Sequence, residues 1–366
     1  MSRTTPADRE ARPGRTFFGQ PFELSTPFAV ELWERFSFYG MQGIVLIYMY
    51  YSLTQGGLGI DKGIATGIMG AYGGAVYLFT IIGAWIADRL IGADRTLFGS
   101  AIVVMLGHIA LALIPGVAGV GVGLVLIALG SGGLKATATT IVGGLYSRED
   151  PRRDAGFSLY YLGVNLGAFF GPLLTGLLQS SLGFHWGFGL AAVGMAAGLV
   201  QYAIRRKKLP EVVRHVANPV DRRRLPLIGA GVVVALVVIV VAVLTGLLNV
   251  GNLPTVVVAV VVLATIGYFV VILSSGITRD ERSRVFAFIP LFIGSAVFWS
   301  LYQQQFTVVT VYSDERLDRS LFGWEMPVSW VQSINPVFII VLSGVFAAMW
   351  TKLGDRQPST PTKFAL

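Results

Sequence analysis

Residues 27–50 read PFAVELWERFSFYGMQGIVLIYMY. As a helix this stretch is about 36 Å long, enough to cross a hydrocarbon core about 30 Å thick. Three ionisable side chains interrupt an otherwise apolar run. Glu31 and Glu34 are three apart and Glu31 and Arg35 four apart, so all three project from one helix face. Charges at membrane depth are costly; they face one another or a cavity and mark a pathway.

The rest of the chain agrees with a span. Of 366 residues 54% are hydrophobic and only 13% charged, and a soluble domain carries roughly 25% charged residues. Nine further apolar stretches follow, at 64–87, 97–114, 120–145, 156–180, 186–204, 226–247, 253–274, 286–311 and 328–350. Runs of this length without alternation are helices, and the backbone in lipid must be satisfied within them. The expected fold is an all-α polytopic membrane protein with ten transmembrane helices. Cysteine is absent, which excludes disulfides, thiolate metal sites and cysteine nucleophiles. The first 26 residues have no apolar segment ending in small residues, the pattern of a cleaved signal peptide.

Positive charge sets the expected topology. Arg3, Arg9, Arg12 and Arg15 precede the first span, and Arg89, Arg95, Arg148, Arg152 and Arg153 fall in later loops on that side. The linker 205–225 holds Arg205, Arg206, Lys207, Lys208, Arg214, Arg222, Arg223 and Arg224, and Arg279, Arg282, Arg284, Lys352, Arg356 and Lys363 follow. The opposite side has only Lys62, Arg316 and Arg319, so both ends are expected in the cytoplasm. The same placement argues against nucleic acid despite a net charge of +8, because the basic residues are not interleaved with aromatics. Two basic residues remain, Arg35 and Lys135, and both lie within spans. Lys135 sits in GSGGLKAT, where small residues let another helix come close. Two carboxylates and two cations in a dry cavity make an ion network that can rearrange, load a proton and receive a substrate carboxylate. A static salt bridge that holds the bundle together is the alternative.

ELWERFSFYG, residues 31–40, resembles the ExxERFxYYG signature of the proton-coupled oligopeptide transporters, a branch of the major facilitator superfamily. GAWIADRLIGADRT (83–96) resembles the facilitator loop between helices 2 and 3, and FSLYYLGVNLGAFFGP (157–172) the family's second signature. FWSLYQQQ (298–305) and SINP (333–336) are similar to its seventh and eighth helices. The resemblance implies a facilitator bundle: a cytoplasmic tail 1–26, a six-helix half 27–204, the basic linker 205–225, an inserted lipid-facing pair 226–274, and the first two helices of a second half at 275–366. Four further spans beyond residue 366 are implied. Glu31, Glu34 and Arg35 would couple protons, the only coupling ion, with no cofactor or metal. Arg35 and Lys135 would engage the peptide carboxylate, and Tyr39 and Tyr77 would line the pocket. Asn165 and Asn335 would bond the peptide backbone and Trp299 would wall a side-chain pocket. Gly83, Asp88 and Arg89 would serve gating or packing.

Three departures from the family pattern stand out. Phe38 replaces the first tyrosine of YYG, Gln303 stands where many bacterial members have a glutamate, and the helix-10 glutamate assigned to the peptide amino group would lie past residue 366. The implied function is proton-driven symport of di- and tripeptides by alternating access, in the cytoplasmic membrane of a bacterium. The partners are the peptide and the bilayer, with no obligate protein partner. A carrier of nitrate or another small anion, and a non-transporting peptide sensor, are the other readings. An enzyme is not expected: HExxH, GxSxG and paired intramembrane aspartates are missing from the sequence. His108, within the third span, is open to both a helix–helix hydrogen bond and a proton relay. The glycines near 116–133 lack the GKS/T ending of a phosphate loop and read as close packing.

Overall fold

The structure, a computed structural model, describes residues 15–147, 149–216, 218–359 and 362–363; Arg3, Arg9, Arg12 and Arg148 lie outside them. Helix α1 (Ser25–Tyr50) carries Pro27 in its first turn, where a missing N–H costs nothing. The helices that follow it are α2 (Lys62–Ile86), α3 (Ala93–Leu113), α4 (Gly116–Gly143), α5 (Arg153–Leu182) and α6 (Phe184–Arg205). Asp61 caps α2 by accepting the Ile64 N–H at 3.1 Å. A π-turn over Ala87–Ile91 ends α2, and Gly92 turns the chain at φ +82°, a value that favours glycine.

Helices α1–α6 pack as one bundle, with α1 against α5 and α6, and α4 against α2 and α3. Of the 26 residues of α1, 21 are buried, so its charged face meets protein and not lipid. In lipid, helix association depends on close packing, and small residues permit it. A Cβ on Gly171 of α5 would stand 2.4 Å from the Phe36 carbonyl of α1, and one on Gly83 of α2 would stand 2.4 Å from Gly133 Cα of α4. Thr175 then donates to the Gly40 carbonyl across the α1–α5 crossing at 2.9 Å.

Helices α7 (Leu225–Leu244) and α8 (Leu253–Ser274) have no buried residues; α8 lies along α2. The following span is broken. Helix α9 (Arg279–Gln303) starts at a capping box in which Thr278 and Glu281 bond each other's backbone N–H. A 3-10 turn at Gln304–Phe306 interrupts it before α10 (Val308–Glu315). The expected span 286–311 is one crossing segment, Arg279–Glu315, with this turn inside it, where Phe306 is buried and stacked on Tyr39 at 5.7 Å. The last expected span, 328–350, begins as a 3-10 turn (Val328–Ser333) and continues as α11 (Ile334–Leu353).

Nine helical segments are long and apolar enough to cross a membrane by length and composition among the described residues, and α1 is not one of them. Its charged face explains that, and with α1 the total is the ten expected. Two short hairpins, Thr16–Phe17 with Gln20–Pro21 and Ser320–Leu321 with Trp324–Glu325, are antiparallel.

The basic stretch 205–225 is docked and is not a free linker. Leu209 and Val213 are buried in the cluster that includes Ala93, Leu97 and Tyr146. Asn218 and Val220 donate backbone N–H groups to the Asp88 and Arg89 carbonyls at 2.9 and 3.1 Å. Arg206 pairs with buried Asp94 through its Nη2 and Nε, at 2.7 and 3.2 Å, and Tyr202 donates to the same carboxylate at 2.8 Å.

Candidate functional site

The i,i+3 and i,i+4 spacing on α1 produces a compact ion triad. Arg35 Nε lies 2.7 Å from Glu31 Oε1 and 2.8 Å from Glu34 Oε2. An Nε carries one hydrogen. It bonds Glu31, leaving Glu34 Oε2 in contact with the positive charge but without a hydrogen-bond donor. Glu34 is fully buried, and its other oxygen accepts a long bond of 3.4 Å from Ser131 of α4. Two acids therefore crowd one guanidinium in a site closed to water.

Lys135 does not join the triad as expected. Its Nζ stands 5.1 Å from the Phe38 ring and 5.3 Å from the Tyr77 ring, and among the described residues no carboxylate is within ion-pair reach of it. Arg35 also lies over the Phe38 ring, at 5.5 Å. The phenylalanine that departs from the family pattern is thus a shared seat for both cations.

One turn along α1 from Arg35, Tyr39 lines a cavity of about 160 Å³ between α1, α5, the end of α9 and the start of α11. Asn165 and Asn335 line it too, so three of the expected substrate residues meet there. Asn165 donates to the Tyr161 carbonyl at 2.8 Å, and Asn335 accepts the Tyr302 hydroxyl at 3.1 Å. Tyr77 and Trp299 are each half-exposed and do not line this cavity; Trp299 packs on Phe298 and Tyr302. Gln303 is outside the lining, and Gln305, two positions on, is in it.

Polar ties between α1–α6 and the chain after Arg279 cluster at the end where α1 meets α2. Tyr50 and Tyr51 both donate to Asp314 at 2.7 Å. Lys62 pairs with Glu315, and Arg319 bridges Asp314 and Glu325. Deeper in, Ser329, Trp330 and Ser333 donate to the Pro172, Leu173 and Phe169 carbonyls of α5 at 2.8 to 2.9 Å.

Of the gating residues, Gly83 makes the close α2–α4 crossing, while Asp88 and Arg89 expose their side chains and are held through their carbonyls. His108 is fully buried with both ring nitrogens unpartnered. Asp94, Asp314, Phe306 and Gln332 were not singled out from the sequence, whereas Gln305 falls in the FWSLYQQQ stretch that was. Asp94 had a visible signal, an acid directly before Arg95 in the loop motif; the others sit at helix breaks and ends that hydropathy does not resolve.

A bundle of membrane-spanning helices with a buried ion triad beside a small cavity lined by Tyr39, Asn165 and Asn335 is the architecture of a multi-pass membrane carrier. Residues 94–366 match the model of the POT family (PTR2). The chain is 44% identical over 356 residues to the uncharacterized transporter YclF of Bacillus subtilis (strain 168), covering 97% of this chain and 72% of that one. It is 40% identical over 369 residues to a di-/tripeptide transporter of Lactococcus lactis subsp. cremoris, covering 96% and 73%. A crystal structure of a peptide transporter POT in complex with sulfate superposes with a TM-score of 0.90 at 46% identity, covering 97% of this chain and 73% of that one. The chain belongs to the POT family.

Proposed function

We propose that the protein carries di- and tripeptides across the cytoplasmic membrane of a bacterium, driven by inward proton flow, by alternating access. The observation that carries this reading is the crowding of two buried carboxylates, Glu31 and Glu34, against the one Arg35 guanidinium, with Lys135 close by and without an anionic partner among the described residues. A peptide carboxylate drawn to Lys135 and Arg35 loosens Arg35 from the acids. Two like charges left together in a dry site then take up a proton. When the peptide leaves, Arg35 returns to both acids and the proton is released. The coupling thus needs no cofactor beyond the proton.

Tyr39, Asn165 and Asn335 supply uncharged donors and acceptors for the peptide backbone in the cavity, with Tyr77 and Trp299 reached by longer side chains. Residues 27–204 act as one half and 275–366 as part of the second, with 226–274 an insert turned to lipid. With both chain ends in the cytoplasm, the Tyr50, Tyr51 and Lys62 ties lie on the outer side. The arrangement is then closed outward, the state that releases cargo inward.

Relatives that carry di-/tripeptide transporter names favour peptide over nitrate as cargo. Competition tests the choice: unlabelled dialanine should displace labelled dialanine from the purified protein and nitrate should not. Displacement by nitrate alone would reverse the assignment.

A further inference from the structure

Helix α6 packs against α1, α3 and α5 and turns one stripe outward. Val193, Val200 and Ile204 on that stripe are exposed, and the small side chains of Ala196 and Ala197 leave a furrow beside them. The result is an open groove of about 660 Å³ that runs from Val193 to Arg205, with Gln201 its one uncharged polar side chain. Twelve residues of helix cover about 18 Å, and one leaflet of the hydrocarbon core is about 15 Å deep. The groove is long enough for an acyl chain lying along the helix.

One end of this groove is cationic. The Arg205 guanidinium lies over the Phe22 ring at 5.3 Å and donates to Ser25 Oγ at 3.0 Å. Arg15 lies against the same ring, at 5.2 Å. An aromatic face attracts a cation, and this one holds two. Among the described residues no carboxylate is within ion-pair reach of either guanidinium. Asp94, the acid that this end of α6 does meet, is taken up by Arg206. Lys207 and Lys208 follow, both exposed. Phe18, at the tip of the hairpin after Arg15, is 80% exposed. Exposed aromatic and basic side chains together at a span end are the composition of a membrane–water interface. A guanidinium without a carboxylate matches phosphate, which it bonds in the same forked geometry.

We propose that this groove binds an anionic phospholipid. One acyl chain lies along Val193–Ile204, the Arg205 guanidinium bonds the phosphate, and Arg15 adds its charge across the Phe22 ring. The occupant is a lipid and not a free phosphate because the apolar groove and the cationic end meet at Arg205. Once bound, the lipid ties the segment before α1 to the end of α6.

The test is native mass spectrometry of the purified chain in a neutral detergent, titrated with phosphatidylglycerol or with phosphatidylcholine carrying the same acyl chains. Wild type should retain one phosphatidylglycerol at concentrations where phosphatidylcholine is not retained. Arg15→Gln and Arg205→Gln should each weaken phosphatidylglycerol roughly fivefold and together about 30-fold, the effect of about 1 kcal/mol per basic side chain at 1.4 kcal/mol per factor of ten. Arg15→Gln leaves the Arg205–Ser25 bond in place, so its loss reads the charge without a change in the packing of α6. Ala197→Trp fills the groove, keeps every charge and should weaken phosphatidylglycerol as well. Equal retention of phosphatidylcholine would reduce the groove to an apolar surface without headgroup preference. Displacement of the lipid by inorganic phosphate at equal concentration would make the end of the groove an ion site. Undiminished phosphatidylglycerol binding by the double variant would place the lipid elsewhere. Each of these three results overturns the proposal.

Discussion

Asp314 accepts the hydroxyls of Tyr50 and Tyr51 at 2.7 Å, and these two bonds tie the end of α1 to the end of α10. Replacing Asp314 by Ala removes both, and leaves Arg319 with Glu325 at 2.8 Å as its remaining partner. A hydrogen bond to a charged group contributes about 1.5–3 kcal/mol. The Asp314 side chain is 13% exposed, so water recovers part of each bond once the end opens. A net loss of about 1.5–3 kcal/mol for the closed arrangement follows from halving the sum of the two bonds. At 1.4 kcal/mol per factor of ten, the open-to-closed ratio rises roughly 10- to 150-fold. The chain has no cysteine, so a single introduced thiol gives a clean labelling signal. Val328 is 4% exposed beneath this end, and Val328→Cys keeps an apolar side chain of similar size. A membrane-impermeant maleimide added from outside should label Val328→Cys slowly, and the Asp314→Ala background at least tenfold faster. Asp314→Asn, which retains one acceptor oxygen, should fall between. An unchanged labelling rate in Asp314→Ala would refute the assignment of these bonds as the closure.

Other expectations follow from the same structure. Phe38→Leu removes the ring shared by Arg35 and Lys135 and should weaken dipeptide binding by about 0.5–2 kcal/mol in a competition assay. Lys135→Gln should raise the KM for dialanine more than that for its methyl ester, which lacks the carboxylate that Lys135 attracts. Asp94→Ala strands Arg206 and breaks the Tyr202 bond; breaking a buried pair costs about 3–5 kcal/mol, and less here because Arg206 is 22% exposed, so the melting temperature in detergent should fall by several degrees. Gly171→Leu would drive a side chain into the Phe36 carbonyl and should abolish folded protein, as judged by size-exclusion profile.

Much of this molecule was legible in its sequence because lipid imposes simple rules. Length and hydropathy placed α1–α8 to within a few residues, and the four intramembrane charges stood out against so apolar a background. The i,i+3 and i,i+4 spacing of Glu31, Glu34 and Arg35 was enough to put them in contact, since one helix sets that geometry. Contacts between helices were not readable in that way. Lys135 has the right charge and depth, yet the Phe38 and Tyr77 rings hold it apart from the acids. The break at Gln304–Phe306 falls on the glutamines 303–305, whose polarity marks the place, but that the helix breaks there with Phe306 buried on Tyr39 is a tertiary event. The linker 205–225 read as a basic strand of topology signals. Two of its apolar residues, Leu209 and Val213, dock it, and its backbone N–H groups find the 88–89 carbonyls only once the bundle has formed. Arg15 and Arg205, likewise read as topology signals, meet on the Phe22 ring only in the packed bundle.

The central claim is that Glu31 and Glu34 carry the proton that drives peptide uptake. Its most direct test is labelled dialanine uptake by the protein in liposomes, acid outside and negative inside, comparing wild type with the Glu31→Gln, Glu34→Gln double variant. Wild type should accumulate dialanine above equilibrium, and the accumulation should collapse with a protonophore. The double variant should show no accumulation while still exchanging dialanine across the membrane without a gradient. Undiminished, protonophore-sensitive accumulation by the double variant would contradict it.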